Sequence, residues 1–384
     1  MRVYLDYAAT TPVAPRVLDA MLPYFAEMPG NASSLHAFGQ DARAGVDRAR
    51  VKVASLIGAR PGEIVFTSGA TEADNLAVFG VALARESRGR HVVTSGIEHH
   101  AVLEACRFLE SRGYTVTYVP VDGAGLVDPD DVRQALRVDT VLVSIMAANN
   151  EIGTLQPLAE IGRLTRERGI PFHSDATQMA GALPMSVGQL GVDLLSVSGH
   201  KRYGPKGVGA LYVRNGTPLV RVQHGGDHER GRRGGTENVA GIVGLGAAFE
   251  LAAEGMAEEA SRTAALRDRL IEGALAIPGA RLNGAREPRL PNNVNLSFEG
   301  TDGQSLVIGL DLQGVAGSSG SACSAGSLEP SHVLLALGLP PELAAAVVRL
   351  TLGRSTTEAD VEYAIAALGR VVAAVRQAAP SLTP

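Results

Sequence analysis

From residue 63 to about 213 the chain repeats one pattern, a short β-rich apolar run followed by a stretch with helical spacing. The runs are "EIVFTSG", "HVVTSG", "TVTYVPV", "TVLVSIMAAN", "PFHSDA", "DLLSVSG" and "VGALYV". Between most of them lie "EADNLAVFGVALARES", "AVLEACRFLESRG" and "LAEIGRLTRERG". The last two end in Gly113 and Gly169, where a helix C-terminus favours glycine. Strands alternating with helices build a parallel or mostly parallel sheet covered on both faces, an α/β architecture. Such a sheet binds ligands in the loops that follow the carboxyl ends of its strands. Those ends are where chemistry is to be sought.

Beyond this region comes an Ala-rich helical stretch, roughly 236 to 276. The last hundred residues read as a smaller α+β domain: "NNVNLSFEG", a helix around "GQSLVIGLDLQG", a loop of small residues, then "EPSHVLLALG" and further helix. A chain of 384 residues exceeds the usual span of one hydrophobic core, so two domains are expected. The division expected is 12–257 for the large domain, with 1–11 and 258–384 forming the small one. A net charge of −5 gives no electrostatic reason for nucleic acid or an anionic membrane as partner. No signal peptide and no run of ~18 apolar residues is visible, so a cytoplasmic enzyme is the expectation.

Two residue types are scarce enough to be informative. Of 35 basic residues all but Lys52, Lys201 and Lys206 are arginine. A site that needs an amine able to lose its proton cannot use arginine. The two cysteines, Cys106 and Cys323, cannot make a disulfide framework. Cys106 falls on the apolar face of "AVLEACRFLE" and reads as a buried structural thiol. Cys323 sits in "SSGSACSAGS", among residues no larger than itself.

Several candidate groups fall at strand ends. In "SVSGHKRYGPKGVGALYV" a strand ends at Ser198 and is followed by His200 and Lys201; a lysine there can form a Schiff base with an aldehyde cofactor. Lys206 is the rival, and Lys52 reads as part of a solvated helix face. Asp175 ends the apolar strand of "HSDATQ", where a carboxylate needs a partner such as a pyridine nitrogen, or else caps a following helix. "FTSGATEADN" runs from a strand into a helix beginning near Glu72, whose free amides at Ala70 and Thr71 suit a phosphate. In "SGIEHHAVLEAC" either His99 or His100 could stack on a planar cofactor and move protons. "AANNEIGT" adds Asn149 and Asn150, and "RLTLGRSTTEAD" places Arg354 where its fork fits a carboxylate. Lysine, aspartate, phosphate loop and histidine together are the parts of a pyridoxal 5'-phosphate (PLP) site.

With these motifs in this order, the chain resembles the NifS/IscS-type cysteine desulfurases of the class V aminotransferase family, among the fold type I PLP enzymes. The resemblance runs from "YLDYAATTP" and "GNASSLHAFG" through "NNEIGT", "SGHKRYGPKG" and "ERGRRGGTENV" to "SSGSACSAGSLEPSHVL" and "LGRSTTEAD". It implies a mostly parallel seven-stranded sheet flanked by helices, PLP as cofactor and L-cysteine as substrate. Lys201 is then the Schiff-base lysine, Asp175 faces the pyridine nitrogen, Gln178 bonds the ring hydroxyl, and His99 stacks on the ring. Ala70, Thr71, Ser198 and His200 hold the phosphate, with Thr236 arriving from the second subunit of a homodimer. Asn31, Asn150 and Arg354 hold the substrate carboxylate; Asn150 also contacts the cofactor. Cys323 is the travelling nucleophile that takes the substrate's sulfur as a persulfide, and a candidate transient ligand of an Fe–S cluster; no resident metal is implied.

The acceptor implied is a protein, an iron–sulfur scaffold or a tRNA-thiolation protein. Selenocysteine lyase or aminotransferase-like chemistry is the alternative on the same scaffold, and Cys323 discriminates them. A non-catalytic sulfur carrier or a nucleotide-binding protein is the alternative of another class, but Gly241, Gly244 and Gly246 follow no strand, against a dinucleotide site.

Overall fold

The computed structural model describes residues 2–320 and 330–378. A two-residue strand, β1 (Val3–Tyr4), precedes the main sheet. The seven apolar runs form β2 (Ile64–Thr67), β3 (His91–Ser95), β4 (Thr115–Val119), β5 (Thr140–Ser144), β6 (Phe172–Asp175), β7 (Leu194–Ser198) and β8 (Gly209–Val213). They make one sheet in the order β2-β8-β7-β6-β5-β3-β4. The neighbours from β7 through β4 are parallel, while β8 runs antiparallel to both β2 and β7. Every strand but the edge strand β4 is buried along its whole length, so most read as unbroken apolar runs rather than alternating ones, while β6 buries the polar side chains of His173, Ser174 and Asp175.

Helices cover both faces. Helix Ala37–Ile57 starts with His36, whose ring accepts the Gly39 N–H, and stops at Gly58 in the left-handed conformation (φ 68°). Gly113 (φ 85°) and Gly169 (φ 62°) close the helices His100–Ser111 and Leu158–Glu167 in the same way. The helix Ala70–Ala84 begins two residues before Glu72.

A second core lies apart from the sheet. It gathers Leu266, Leu270 and Ile271 of the long helix Val239–Leu275, Leu306 and Leu310 of the helix Gly303–Leu312, and Leu368 and Val372 of the helix Glu358–Ala378. The three-stranded sheet of β9 (Ala280–Leu282), β10 (Asn293–Phe298) and β12 (Val347–Thr351) underlies it. The N-terminus joins here: β1 pairs in parallel with β11 (Val315–Ala316), and Val3 and Leu5 are buried in this core. Among the described residues Val239–Leu275 is the one helix long and apolar enough to cross a membrane, but more than half of that apolar window is buried inside the protein.

Candidate active site

The carboxyl ends of β2, β6 and β7 open onto a cavity of about 450 Å³. Seven of the residue positions singled out by side-chain chemistry line it: Thr71, His99, Asn150, Asp175, Gln178, His200 and Lys201; Ala70 and Ser198 contribute backbone and hydroxyl. Lys201 ends the single 3-10 turn Gly199–Lys201 that follows β7. Its Nζ donates to the carbonyls of Ala8 (2.7 Å) and Ala9 (2.8 Å), and Gln178 Nε2 also donates to Ala8 O (3.1 Å). The N-terminal segment thereby orients two side chains through its backbone. Lys206 lines the cavity as well, whereas Lys52 pairs with Glu250 at 2.8 Å far along the chain.

Asp175 closes β6 with 7% of its surface exposed, and its Oδ1 accepts the Thr177 N–H at 2.9 Å. A turn, not a helix, follows, so this carboxylate caps only its own turn, and the residue lines the cavity. His200 Nδ1 lies 3.2 Å from Thr10 Oγ1. Burial, and then the charges of Lys201 and Lys206, push this imidazole down to about 4, so it is neutral near pH 7. His99 is the N-cap of the helix His100–Ser111; its Nδ1 accepts the Ala101 N–H (3.1 Å), which assigns the ring hydrogen to Nε2. Between the two asparagines the structure chooses: Asn149 is fully buried and bonds Ile97 O and the Glu151 and Ile152 amides, while Asn150 faces the cavity.

The helix Ala70–Ala84 points its N-terminus at this cavity. Its N-cap, Gly69, offers no side-chain cap, so the first-turn amides remain to be satisfied from the cavity. A Cβ on Gly209, at the start of β8, would come within 2.8 Å of Gly69 Cα, so only glycine lets the two backbones approach this closely. On the cavity wall, Thr177 Oγ1 is buried without a hydrogen-bond partner among the described residues. An anionic, hydrogen-bonding occupant would satisfy both.

Three positions lie elsewhere. Asn31 is exposed and its side chain accepts the Ser33 N–H at 2.9 Å. Thr236 is exposed and away from the cavity of its own chain. Arg354 does not line the cavity: it forms an ion pair with Glu259 (2.7 Å) and lies 4.8 Å above the Tyr203 ring. The arginine that does line it is Arg349, 1% exposed, which binds Asp6 Oδ1 (2.9 Å) and the Asn150 carbonyl (3.0 Å). A cation in the middle of the apolar run "VVRLT" was the available signal for it. Ala8 and Ala9 gave none, since they act through carbonyls. Cys323 lies outside the described residues.

Behind the cavity wall sits a buried polar compartment. His173 bonds Ser144 Oγ through Nδ1 (2.8 Å) and Ser196 Oγ through Nε2 (3.0 Å), and burial pushes it down to about 4. Asp74 lies 3.5 Å from that Nε2, wholly buried, and burial followed by the nearby Asp175 pushes its carboxyl well up.

The profile of the Aminotransferase class-V family matches residues 3–364. The chain belongs to that family. Within it the chain is of the NifS/IscS type. It is 53% identical over 379 residues to the cysteine desulfurase IscS of Dictyoglomus turgidum, covering 98% of this chain and 96% of that protein. Against the cysteine desulfurase IscS of Methanosarcina thermophila the identity is 52% over 383 residues, covering 100% and 94%. Among solved structures, a NifS-like protein superposes with a TM-score of 0.91 at 40% identity, over 97% of this chain and 100% of that one. The structure of SspA in complex with cysteine gives 0.82 at 40%, over 91% and 98%. Family members use PLP. The residues present fit it: an uncapped helix N-terminus and the unpartnered Thr177 hydroxyl for an anion, a carboxylate at the floor, and an amine at the rim.

Proposed function

We infer that this protein is a PLP-dependent cysteine desulfurase, converting L-cysteine to L-alanine and passing the sulfur to Cys323 as a persulfide. The observation that carries the site assignment is the convergence of Lys201, Asp175, His99 and the Ala70–Ala84 N-terminus on one cavity at the strand ends. In the reading proposed, the amides of Ala70 and Thr71, with Ser198 and His200, hold the phosphate, Gln178 the ring hydroxyl, and Asp175 the ring nitrogen. Bound there, PLP supplies an electron sink for the substrate's α-carbon. Lys201 Nζ, steered by the Ala8 and Ala9 carbonyls, is placed to take the α-proton.

Cys323 thiolate then attacks the substrate sulfur. The new S–S bond forms as the substrate's C–S bond breaks; carbon keeps the electron pair and is protonated, giving alanine. His99, which lines the cavity and carries its ring hydrogen on Nε2, is the proton donor. A thiol reductant or an acceptor protein later removes the sulfur as sulfide or persulfide. A free thiol ionises near pH ~8.5, so forming the Cys323 thiolate needs a base to take its proton.

Asn150, with Asn31 and Arg354, is proposed to receive the substrate carboxylate. For Arg354 this requires exchange of Glu259 for the substrate. Exposed Thr236 fits a homodimer in which it serves the other subunit's phosphate. The two hydrophobic cores support a large domain over 12–257 and a small one from 1–11 and 258–384. A cytoplasmic location, and an iron–sulfur scaffold or tRNA-thiolation protein as acceptor, complete the reading. The test is release of alanine and sulfide from L-cysteine and reductant. Wild type gives equal amounts of both and Cys323→Ala gives neither; products from both proteins would remove the thiol from the mechanism.

A further inference from the structure

β2 is an edge strand, paired only with β8, so its outer N–H and C=O groups need partners. They are met by a buried ion pair rather than by another strand. Arg50 Nη1 donates to Ile64 O (2.8 Å), and Glu229 Oε2 accepts the Phe66 N–H (3.0 Å). Arg50 and Glu229 bind each other bidentately, both contacts 2.8 Å, with their side chains 4% and 3% exposed. Arg50 also lies 4.6 Å over the Phe66 ring. Glu229 and its neighbour Arg230 hold φ values of 46° and 58°, a left-handed backbone that non-glycine residues adopt only where their surroundings impose it.

Four residues on, the same segment touches the next piece of chain. Arg233 Nε binds Glu72 Oε1 (2.8 Å), and Glu72 Oε2 accepts the Ser68 N–H (2.7 Å). Between Phe66 and Glu72 lies the turn whose amides face the cavity. Its two ends are therefore fixed by one segment, at Glu229 and at Arg233.

We propose that Glu229 and Arg233 are positioning residues for the cofactor's phosphate: the segment 228–233 clamps the turn from β2 into the Ala70–Ala84 helix, through Arg50 at one end and Glu72 at the other. This rests on the reading that this helix end holds the phosphate. Neither residue lines the cavity, and both act by fixing where the amides of Ala70 and Thr71 point.

The test is cofactor affinity of the full-length enzyme, freed of PLP and titrated with PLP or with pyridoxal, which lacks the phosphate. Arg233→Gln and Glu229→Gln are expected to bind PLP about tenfold more weakly (~1.4 kcal/mol) with pyridoxal affinity unchanged, and Arg233→Lys to recover part of the loss. Unchanged PLP affinity overturns the proposal, and so does an equal fall for PLP and pyridoxal, which would mean general loosening. Glu229→Gln leaves Arg50 without its anion; if it does not fold, Arg233→Gln, with its partly exposed pair, decides alone. Wild type binding pyridoxal as tightly as PLP would overturn the phosphate reading and the proposal with it, and needs no variant to be seen.

Discussion

Replacing Glu98 by glutamine is expected to stabilise the protein, by an amount that grows with pH. The Glu98 carboxyl is wholly buried; Ser95 Oγ (2.6 Å) and the Met146 N–H (2.9 Å) both donate to Oε1, and Oε2 has no partner among the described residues. Burial raises its proton affinity from the ordinary 4.5 to about 8, outweighing the two donors. The folded protein thus holds this proton more tightly than the unfolded chain. That contribution is fully present below about pH 4.5 and is lost as the pH rises towards about 8. At ~1.4 kcal/mol per pH unit, levelling off near the folded value, the loss is about 3 kcal/mol at pH 7 and about 4 kcal/mol at pH 8. Glutamine keeps the acceptor, carries no charge, and does not titrate. Urea unfolding of wild-type and Glu98→Gln holoenzyme between about pH 5 and about pH 8 measures the difference directly. Curves that stay parallel across this range, or converge as pH rises, would refute the reasoning.

Asp74, pushed well up by burial and by Asp175, is expected to tolerate Asp74→Asn with cofactor binding and activity within about threefold of wild type, because an amide of the same shape removes a charge that burial disfavours. Asp175→Asn is expected to lose activity by at least ~100-fold, since it removes the charge the ring nitrogen needs; equal effects of the two variants would contradict this division. Borohydride reduction of the holoenzyme is expected to fix the cofactor on the peptide containing Lys201, and label on Lys206 would reassign the Schiff base. Cys106 is fully buried with its thiol pushed up to about 12, so Cys323→Ala is expected to resist alkylation at about pH 8 until it is unfolded.

Most of the seven strands were legible because a strand buried on both faces is largely apolar, and the helix ends at Gly113 and Gly169 because a left-handed closing residue favours glycine. The antiparallel course of β8 went unread, although the stretch from Gly199 to Val208 is too short for the crossover that a parallel strand requires. The start of the Ala70–Ala84 helix was placed late because its N-cap is glycine, which leaves no side-chain signal. Lys201 stood out because lysine is scarce here and this one follows a strand's end, Asp175 because a carboxylate at an apolar strand's end is costly, and Thr71 because it opens a helix just after a strand. What stayed hidden acts at a distance along the chain. Nothing in "YAATTP" announces that its carbonyls will face Lys201 Nζ, 192 and 193 positions away. Nor does "HERGRRGG" show that Glu229 will cap the edge of a strand 163 positions earlier.

The most direct test of the central claim follows the sulfur atom itself. Holoenzyme is given L-cysteine with labelled sulfur, without reductant, and the protein is digested and mapped. The account predicts one added sulfur atom per chain, on the peptide containing Cys323, in step with the alanine formed, and released by a thiol. Alanine formed with no sulfur retained on that peptide, or sulfur retained on Cys106 instead, would contradict it.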